Sequence, residues 1–433
     1  MIKICKFGGS SLASAEMFKK VKNIVLSDDK RKVVVCSAVG KKNDDDSKIT
    51  DLLYILAAHL KYKVSYKEIW DIINQKFISI RDELKFDFDI ESELKNLEEK
   101  LNKDLNEDYL ISRGEYLTSK MFAKFLGYEF IDSATLFIYS YDGKILEEKS
   151  KENVINAFNK YSKIVVSGFY GAYENGDIKL FSRGGSDITG AYLASYLNAV
   201  VYENWTDVSG ILAADPRIVN NPKIIDEISY RELRELSYMG ANVLHEETIF
   251  PVMSSNIPIN LKNTNRPEDK GTLIKNVVLS DKTEITGIAG KKGFMSFNVI
   301  KNHMSNEIGF LRKALSIFEK YNISVEHVPS SIDSFSVIVP KDEANKYKYD
   351  IASEIKQTLS AIVEIESDIA LISIVGKNLK GKPGILGKVY STLGKNNINV
   401  RLSALGPLEL SIILGVEEKD YNETIVSLYN ELL

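Results

Sequence analysis

From Met295 onward, apolar periodicity marks a strand (Met295 to Ile300), a helix (Gly309 to Tyr321), two strands (Ser324 to Val328, Phe335 to Val339), a helix (Tyr349 to Leu359) and a strand (Ala361 to Ile365). From Ile369 the same order restarts: a strand to Val375, a helix from Gly384 to Asn396, a hairpin from Val400 to Leu414 and a helix from Thr424 to Leu432. This βαββαβ order is the ferredoxin-like unit, so residues 283–433 are expected to hold two such domains, about 293–367 and about 368–433. The second copy lacks its closing strand. A strand-like run at Glu284 to Ala289, just ahead of the first copy, supplies it if the first copy is inserted into the second.

Residues 1–282 read differently. Strand-like runs at Ile2 to Phe7, Lys32 to Ser37, Phe137 to Tyr139, Lys163 to Ser167 and Ala199 to Glu203 alternate with helical stretches, which argues for an αβα sandwich. Two glycine turns stand out in it. In FSRGGSDITGAYLA, Lys179 to Phe181 ends a strand, Arg183 to Asp187 form a turn, and Thr189 to Leu197 continue as helix. Glycines let a backbone approach a ligand, and the N–H groups opening a helix favour an anion. Arg183 adds a donor fork and Asp187 a carboxylate, a combination suited to a zwitterion unless the two side chains simply pair with each other. In KFGGSSL, Lys6 precedes Gly8, Gly9, Ser10 and Ser11, so an ammonium and a row of N–H groups converge either on phosphate oxygens or on solvent.

Other stretches carry weaker signals. The charged loop Lys41 to Lys48, expected to be mobile, leads through Thr50 into a helix from Asp51 to Leu60. ISRGEYLTSK places Arg113 and Glu115 around Gly114 at an expected helix start, where Glu115 faces either the positive helix end or a ligand ammonium. Thr206, Asp207, Gly210, Asp215 and Arg217 crowd a loop after the strand at Ala199 to Glu203, and such strand-end loops usually bind ligands.

Composition removes several classes. With 56 basic and 60 acidic side chains the net charge is −4, without the basic excess of a nucleic-acid binder. Cys5 and Cys36 end apolar runs, as buried free thiols do. MIKICKFGGS has no signal-peptide core and no run reaches the ~18 uncharged residues of a membrane span, so a soluble cytoplasmic protein is expected. His59, His245, His303 and His327 do not have metal-ligand spacing, and His245 suits a structural hydrogen bond.

KFGGSSL, SRGGSDITGAYLA, WTDVSGILAADPRIV, GANVLHEETIFPV and IPINLKNT occur in one order, and with them the whole chain resembles the aspartate kinases of the amino-acid kinase superfamily. The C-terminal repeat resembles their tandem ACT domains. The resemblance implies phosphorylation of the side-chain carboxylate of L-aspartate by Mg-ATP, the first step towards lysine, threonine and methionine. It places Lys6, Gly8, Gly9, Ser10, Ser37, Thr206, Asp207 and Arg217 at the nucleotide. It places Thr50, Glu115, Phe169, Arg183, Ser186 and Asp187 at aspartate, with Arg183 on the α-carboxylate and Glu115 near the ammonium. Lys6, Arg183 and Asp187 become the catalytic candidates. Leu212 stands where the family often has tyrosine and Asn242 where many members have lysine, both positions that bear on the nucleotide. ISVEHVPSSIDSFSVIV resembles the lysine-responsive members. Ser305, Gly309, Phe310, Leu311, Val325, Glu326 and Ser331 then match an effector pocket between subunits, with Glu326 and Asp333 as carboxylates for a lysine ammonium, in a homodimer or homotetramer built through the ACT domains.

Two other readings compete. A kinase of the same superfamily acting on glutamate, acetylglutamate or carbamate would lack the paired repeat and the SRGGSDITGAYLA wording. A sensor that binds an amino acid without catalysis would have no need of Lys6, Arg183 and Asp187.

Overall fold

The computed structural model describes residues 1–102, 104–182, 184–240, 244, 246–277, 285–377, 379, 383–406 and 410–433, with backbone only at 246–249. Arg183, Asn242, His245 and the expected boundary near 282 therefore lie outside the described residues. The chain divides into two compact units. One comprises Met1–Ile211, Asp226–Tyr230 and Val243–Val278; the other comprises Leu212–Ile225, Arg231–Asn242 and Leu279–Leu433.

The first unit contains β1 (Lys3–Phe7), β2 (Arg31–Cys36), β3 (Glu129–Ile131), β4 (Ile138–Tyr139), β5 (Ile164–Ser167), β6 (Tyr170–Tyr173), β7 (Ile178–Leu180), β8 (Val201–Thr206), β9 (Glu227–Ser229), β10 (Ile259–Asn263) and β11 (Thr272–Lys275). Eight of them form one sheet in the order β3-β5-β2-β1-β8-β10-β11-β9, while β4, β6 and β7 form a small second sheet. The pairings β3–β5, β5–β2, β2–β1, β1–β8 and β8–β10 are all parallel, so the carboxyl ends of these strands share one edge. The chain leaves β1 towards β2 on one side, and β8 lies on the other. Such a switch point opens a crevice outside the strand ends.

Alternation along the strands sorts side chains between faces. Cys5 and Phe7 enter a core with Phe18, Val21 and Val25 of helix α1 (Ala15–Leu26), which Ser14 caps by accepting from the Met17 N–H at 3.3 Å. That core extends through α2 (Ile49–Tyr62), α3 (Lys67–Leu84), α4 (Ile90–Glu98) and α5 (Glu107–Leu126). Cys5 and Cys36 are both buried free thiols. The expectation of a helix start near Arg113 is corrected: α5 begins at Glu107 behind the Asn106 cap, so Arg113, Gly114 and Glu115 sit two turns inside it. Asn-Glu-Asp before a helical run was the true start signal. Helices α6 (Glu147–Tyr161) and α7 (Gly185–Tyr196) complete the first unit's set used below.

In the second unit, β12 (Ile285–Ile300), β13 (Ser334–Pro340), β14 (Ile362–Gly376), β15 (Leu402–Leu405) and β16 (Ser411–Glu417) form one antiparallel sheet in the order β13-β12-β14-β16-β15. Helices Phe310–Lys320, Lys348–Leu359, Ile385–Lys395 and Tyr421–Leu432 accompany it. The runs expected as separate strands are fused. The first half of β12 pairs with the second half of β14 (Ile288 opposite Ile374), and the second half of β12 with the first half of β14 (Val299 opposite Val363). The run ahead of the first copy thus closes the second copy beside its first strand. One expected strand is not regular: Ser324 to Val328 makes only a bridge, with Glu326 N–H to Ile338 O and Ile338 N–H to His327 O, both at 2.9 Å. Pro329 follows at once and has no N–H to extend the ladder.

Candidate active site

Lys6 and Asn204 are cross-strand neighbours on β1 and β8, and both reach one carboxylate in the first turn of α7. Lys6 Nζ lies 2.6 Å from Asp187 Oδ1, and Asn204 Nδ2 donates to the same oxygen at 2.9 Å. The Tyr202 hydroxyl donates to the Asp187 carbonyl at 3.1 Å. An ammonium whose one carboxylate partner among the described residues is Asp187, held at the end of a parallel strand on the cleft wall, is positioned to meet a ligand anion.

The opposite face of the same strands is locked by a buried charge cluster. Glu203 accepts from Arg31 Nε at 2.8 Å, Trp205 Nε1 at 3.0 Å, Lys3 Nζ at 3.2 Å and Cys5 Sγ at 3.4 Å. Burial alone would push the Glu203 carboxyl up, but the Arg31 bonds and charge and Lys3 outweigh it and hold it below the ordinary value. The cluster ties β1, β2 and β8 in register, and with them Lys6 and Asn204.

At the carboxyl edge opens a cleft of about 1320 Å³ lined by Lys6, Ser37, Thr50, Glu115, Phe169, Ser186 and Asp187, among others. It brings together every described residue expected at aspartate (Thr50, Glu115, Phe169, Ser186 and Asp187), but of those expected at the nucleotide only Lys6 and Ser37. Gly168 at the end of β5 packs flush against α7: a Cβ there would stand 2.5 Å from Ser186 Oγ. Phe169 follows with φ of 83°, a costly conformation for a side chain of this size, held by its N–H on Thr189 Oγ1 (3.1 Å) and its carbonyl on Phe181 N–H (2.8 Å).

Glu115 reaches the cleft from the middle of α5 and is 4 % exposed. Among the described residues its Oε2 has no hydrogen-bond partner. Burial pushes the carboxyl up to about 8, although the Ala38 N–H and the charges of Lys6 and Arg113 pull the other way. A buried, orphaned carboxyl oxygen on a cleft wall asks for a cation. Arg113 does not supply it. Its guanidinium donates to Ser112 Oγ at 2.8 Å and stacks 4.4 Å from both the Tyr109 and Tyr116 rings.

The phosphate turn is partly spent. Gly8 N–H donates to Trp205 O at 3.1 Å, which leaves Gly9 and the exposed Ser10, opening a short 3₁₀ helix (Gly9–Leu12), as the donors of the expected row. Thr206 ends β8 and Asp207 follows it, the Thr206 Oγ1 hydroxyl donating to Asp207 Oδ1 at 3.1 Å, and neither lines the cleft. Arg217 and Leu212 belong to the other unit. There Arg217 is exposed and grips Asp215 at 2.6 Å. Sequence reasoning missed Asn204 and Tyr202. Their alternate placement on a strand paired with Lys6 was the available signal.

In the second unit, Gly309, Phe310 and Leu311 of the expected effector positions form the start of the Phe310–Lys320 helix, whereas Val325 lies beside Leu315 and Glu319 further along it. Gly309 caps it at φ 78°, Phe310 is buried against Phe335, and Leu311, Ser305 and Ser331 are exposed. Val325 and Glu326 are half-buried, and Glu326 Oε2 accepts from the Tyr238 hydroxyl. Asp333 Oδ1 accepts the His303 N–H at 2.7 Å. Among the described residues, no helix is long and apolar enough to cross a membrane.

Comparison with known proteins bears on the whole chain. Residues 1–263 match the amino acid kinase family and residues 372–432 the ACT domain. Aspartokinase 3 of Bacillus subtilis (strain 168) is 35 % identical over 447 aligned positions, covering 99 % of this chain and 98 % of that protein. The crystal structure of Clostridium acetobutylicum aspartate kinase is 45 % identical, with a TM-score of 0.92 over 100 % of both chains. E. coli aspartokinase III, 26 % identical with a TM-score of 0.75, covers this chain fully in a complex with aspartate and ADP (R-state) and in one with lysine and aspartate (T-state), over 100 % and 99 % of those chains. A parallel-sheet cleft carrying a lysine, a helix-start aspartate and a buried glutamate, followed by a fused pair of βαββαβ units, completes the match: this chain belongs to the aspartokinases of the amino acid kinase family and is an aspartate kinase with a C-terminal ACT region.

Proposed function

We propose that the cleft binds Mg-ATP and L-aspartate together and transfers the γ-phosphoryl group to the aspartate side chain, giving 4-phospho-L-aspartate. The observation that carries this reading is the presence, in one cleft, of the Lys6 ammonium and a buried Glu115 carboxyl whose Oε2 has no hydrogen-bond partner among the described residues. The first suits the transferring phosphate, the second the α-ammonium of an amino acid. Arg183, in the same glycine turn, is the fork proposed for the α-carboxylate by resemblance alone.

The chemistry asks little else of the protein. An aspartate side chain has a pKa near ~3.9, so the nucleophile is ionised at neutral pH and no general base is required. Transfer between two anions needs alignment and cationic screening. Lys6, held by Asp187, which Asn204 orients in turn, supplies a positioned charge. Magnesium supplies further neutralisation of the phosphates when bound. Among the described residues no cluster of three or more His, Cys, Asp or Glu could cage a metal, which fits an ion carried on nucleotide phosphates with one or two carboxylates, Asp187 the first choice.

For control we propose lysine, bound at the ACT region with its ε-ammonium on Glu326. Ile308 (96 %) and Leu311 (39 %) at this helix start, and Ile332 (71 %), are large apolar side chains left exposed, and they suit self-association of that region into a dimer or tetramer. Bound lysine would share Glu326 with the Tyr238 hydroxyl, which donates to Oε2. A coupling of about 1 to 3 kcal/mol is expected and must be reciprocal between lysine and aspartate. Glu326→Ala should raise the lysine concentration for half-inhibition by about tenfold, as for one lost charge-assisted contact. Unchanged sensitivity removes Glu326 from the pocket. The decisive assay is ADP release with aspartate, glutamate and carbamate compared, and with lysine and threonine added in turn; turnover of glutamate or carbamate in preference to aspartate refutes the substrate, and indifference to lysine refutes the effector.

A further inference from the structure

The loop Lys41 to Lys48, expected from its charge to be mobile, is clasped. Lys76 on α3 reaches across to it: Nζ lies 2.6 Å from both Asp46 Oδ1 and Oδ2, 2.8 Å from Ser47 O and 3.4 Å from Gly40 O. The Lys76 side chain is only 13 % exposed, and its helix neighbours Ile73, Phe77 and Ile80 are core residues. Asp46 in turn accepts the Lys42 and Ser47 N–H groups, each at 2.8 Å. One ammonium therefore collects both ends of the loop.

One loop end packs on the Gly8–Ser11 turn and the other runs into the cleft wall. At one end, Gly40 N–H donates to Gly9 O at 3.0 Å, and a Cβ on Gly40 would stand 2.4 Å from the Gly9 carbonyl carbon. At the other, Ser47 runs directly into Lys48 and Thr50, which line the cleft where α2 begins, and Ile49 N–H closes the neck on Val39 O at 3.0 Å. The contacts are not equal. The two at 2.6 Å and the one at 2.8 Å hold the Thr50 end, whereas the bond to the Gly40 end is long.

We propose that Lys76 is a positioning residue for aspartate phosphorylation, holding the Asp46–Ser47 arm so that Lys48 and Thr50 stand correctly on the aspartate side of the cleft; this rests on the reaction proposed above. Lys76 itself touches no substrate. Its contribution is geometric, and misplacement of about 1 Å away from the chemistry can cost ~10²-fold in rate.

The test uses the full chain with Lys76→Met, Lys76→Arg, Asp46→Asn and the double variant Lys76→Met/Asp46→Asn. In Lys76→Met, kcat/KM for aspartate is expected to fall on the order of 10- to 100-fold, chiefly through KM for aspartate, with KM for ATP moving much less. Lys76→Arg, which keeps charge and reach, restores most of it. Asp46→Asn, on an exposed loop where it cannot unsettle the core, reproduces the defect, and the double variant is no worse than the poorer single one. Trypsin should also cut faster after Lys41 and Lys42 in unliganded Lys76→Met. Unchanged aspartate KM in both single variants, or losses that move the ATP and aspartate constants equally, would overturn the proposal. A wild-type chain that phosphorylates no aspartate overturns the reaction instead, and the trypsin rates then decide for or against the clasp on their own.

Discussion

Lys6→Met is expected to give a folded protein whose kcat has dropped on the order of 10²- to 10³-fold, the loss typical of removing one preorganised donor from a developing charge. Methionine keeps most of the stem volume and removes the ammonium. The structural cost should be small for a buried pair, because Asp187 keeps its Asn204 bond and its side chain is 19 % exposed. A thermal melt beside the kinetics separates the two effects. Adding Asp187→Asn should recover any stability lost to the unpaired carboxylate without recovering rate. Near-normal kcat in folded Lys6→Met would remove Lys6 from phosphate screening.

Glu115→Gln should raise KM for aspartate by ~10- to 150-fold at pH 8, the equivalent of about 1.5–3 kcal/mol for a hydrogen bond to a charged group. Its pH behaviour is the sharper test. The folded carboxyl sits at about 8, above the usual carboxyl value, so in the unliganded protein it is protonated over most of the neutral range. An incoming ammonium selects the ionised form, so wild-type affinity for aspartate should strengthen up to tenfold per pH unit between about 6 and 8 and then level off. The glutamine variant should show no such slope. Stability carries the opposite sign. Between about 4.5 and 8 the unfolded chain has lost this proton and the folded one keeps it, so folding weakens as pH rises. Unliganded Glu115→Gln should therefore melt a few degrees above wild type at pH 8 and converge with it near pH 5. Parallel pH profiles for the two proteins would show that Glu115 does not meet the ammonium.

Much of this was legible in the sequence because strand ends and glycine turns are local events. The alternation that turns Lys6 to the face opposite Cys5, and the turn ahead of Asp187, need only short-range reading. Glu115 was found as a residue but misplaced as an element, since Gly114 reads as punctuation yet sits mid-helix. Its hydrogen site packs on Ala38 Cβ, where an added Cβ would stand 3.0 Å away. The clasp on Asp46 and the support from Asn204 were invisible for another reason. They join residues 30 and 17 positions apart through tertiary contacts that no local pattern encodes. Nor does periodicity say where a strand stops when its neighbour continues in line: Ile285 to Ile300 looked like two runs because Lys291, Lys292 and Gly293 interrupt the apolar pattern without breaking the strand.

The two fused strands have a consequence for how such a region can be lost, gained or taken apart. Each of β12 and β14 serves one βαββαβ copy with one half and the other copy with the other half. No single cut in the polypeptide frees an intact copy: removing residues from the end strips the second and leaves its closing strand half-partnered, and removing them from the front takes that strand away. The pair is therefore expected to melt as one cooperative unit, and trimming from either terminus to yield a broken sheet rather than a smaller domain.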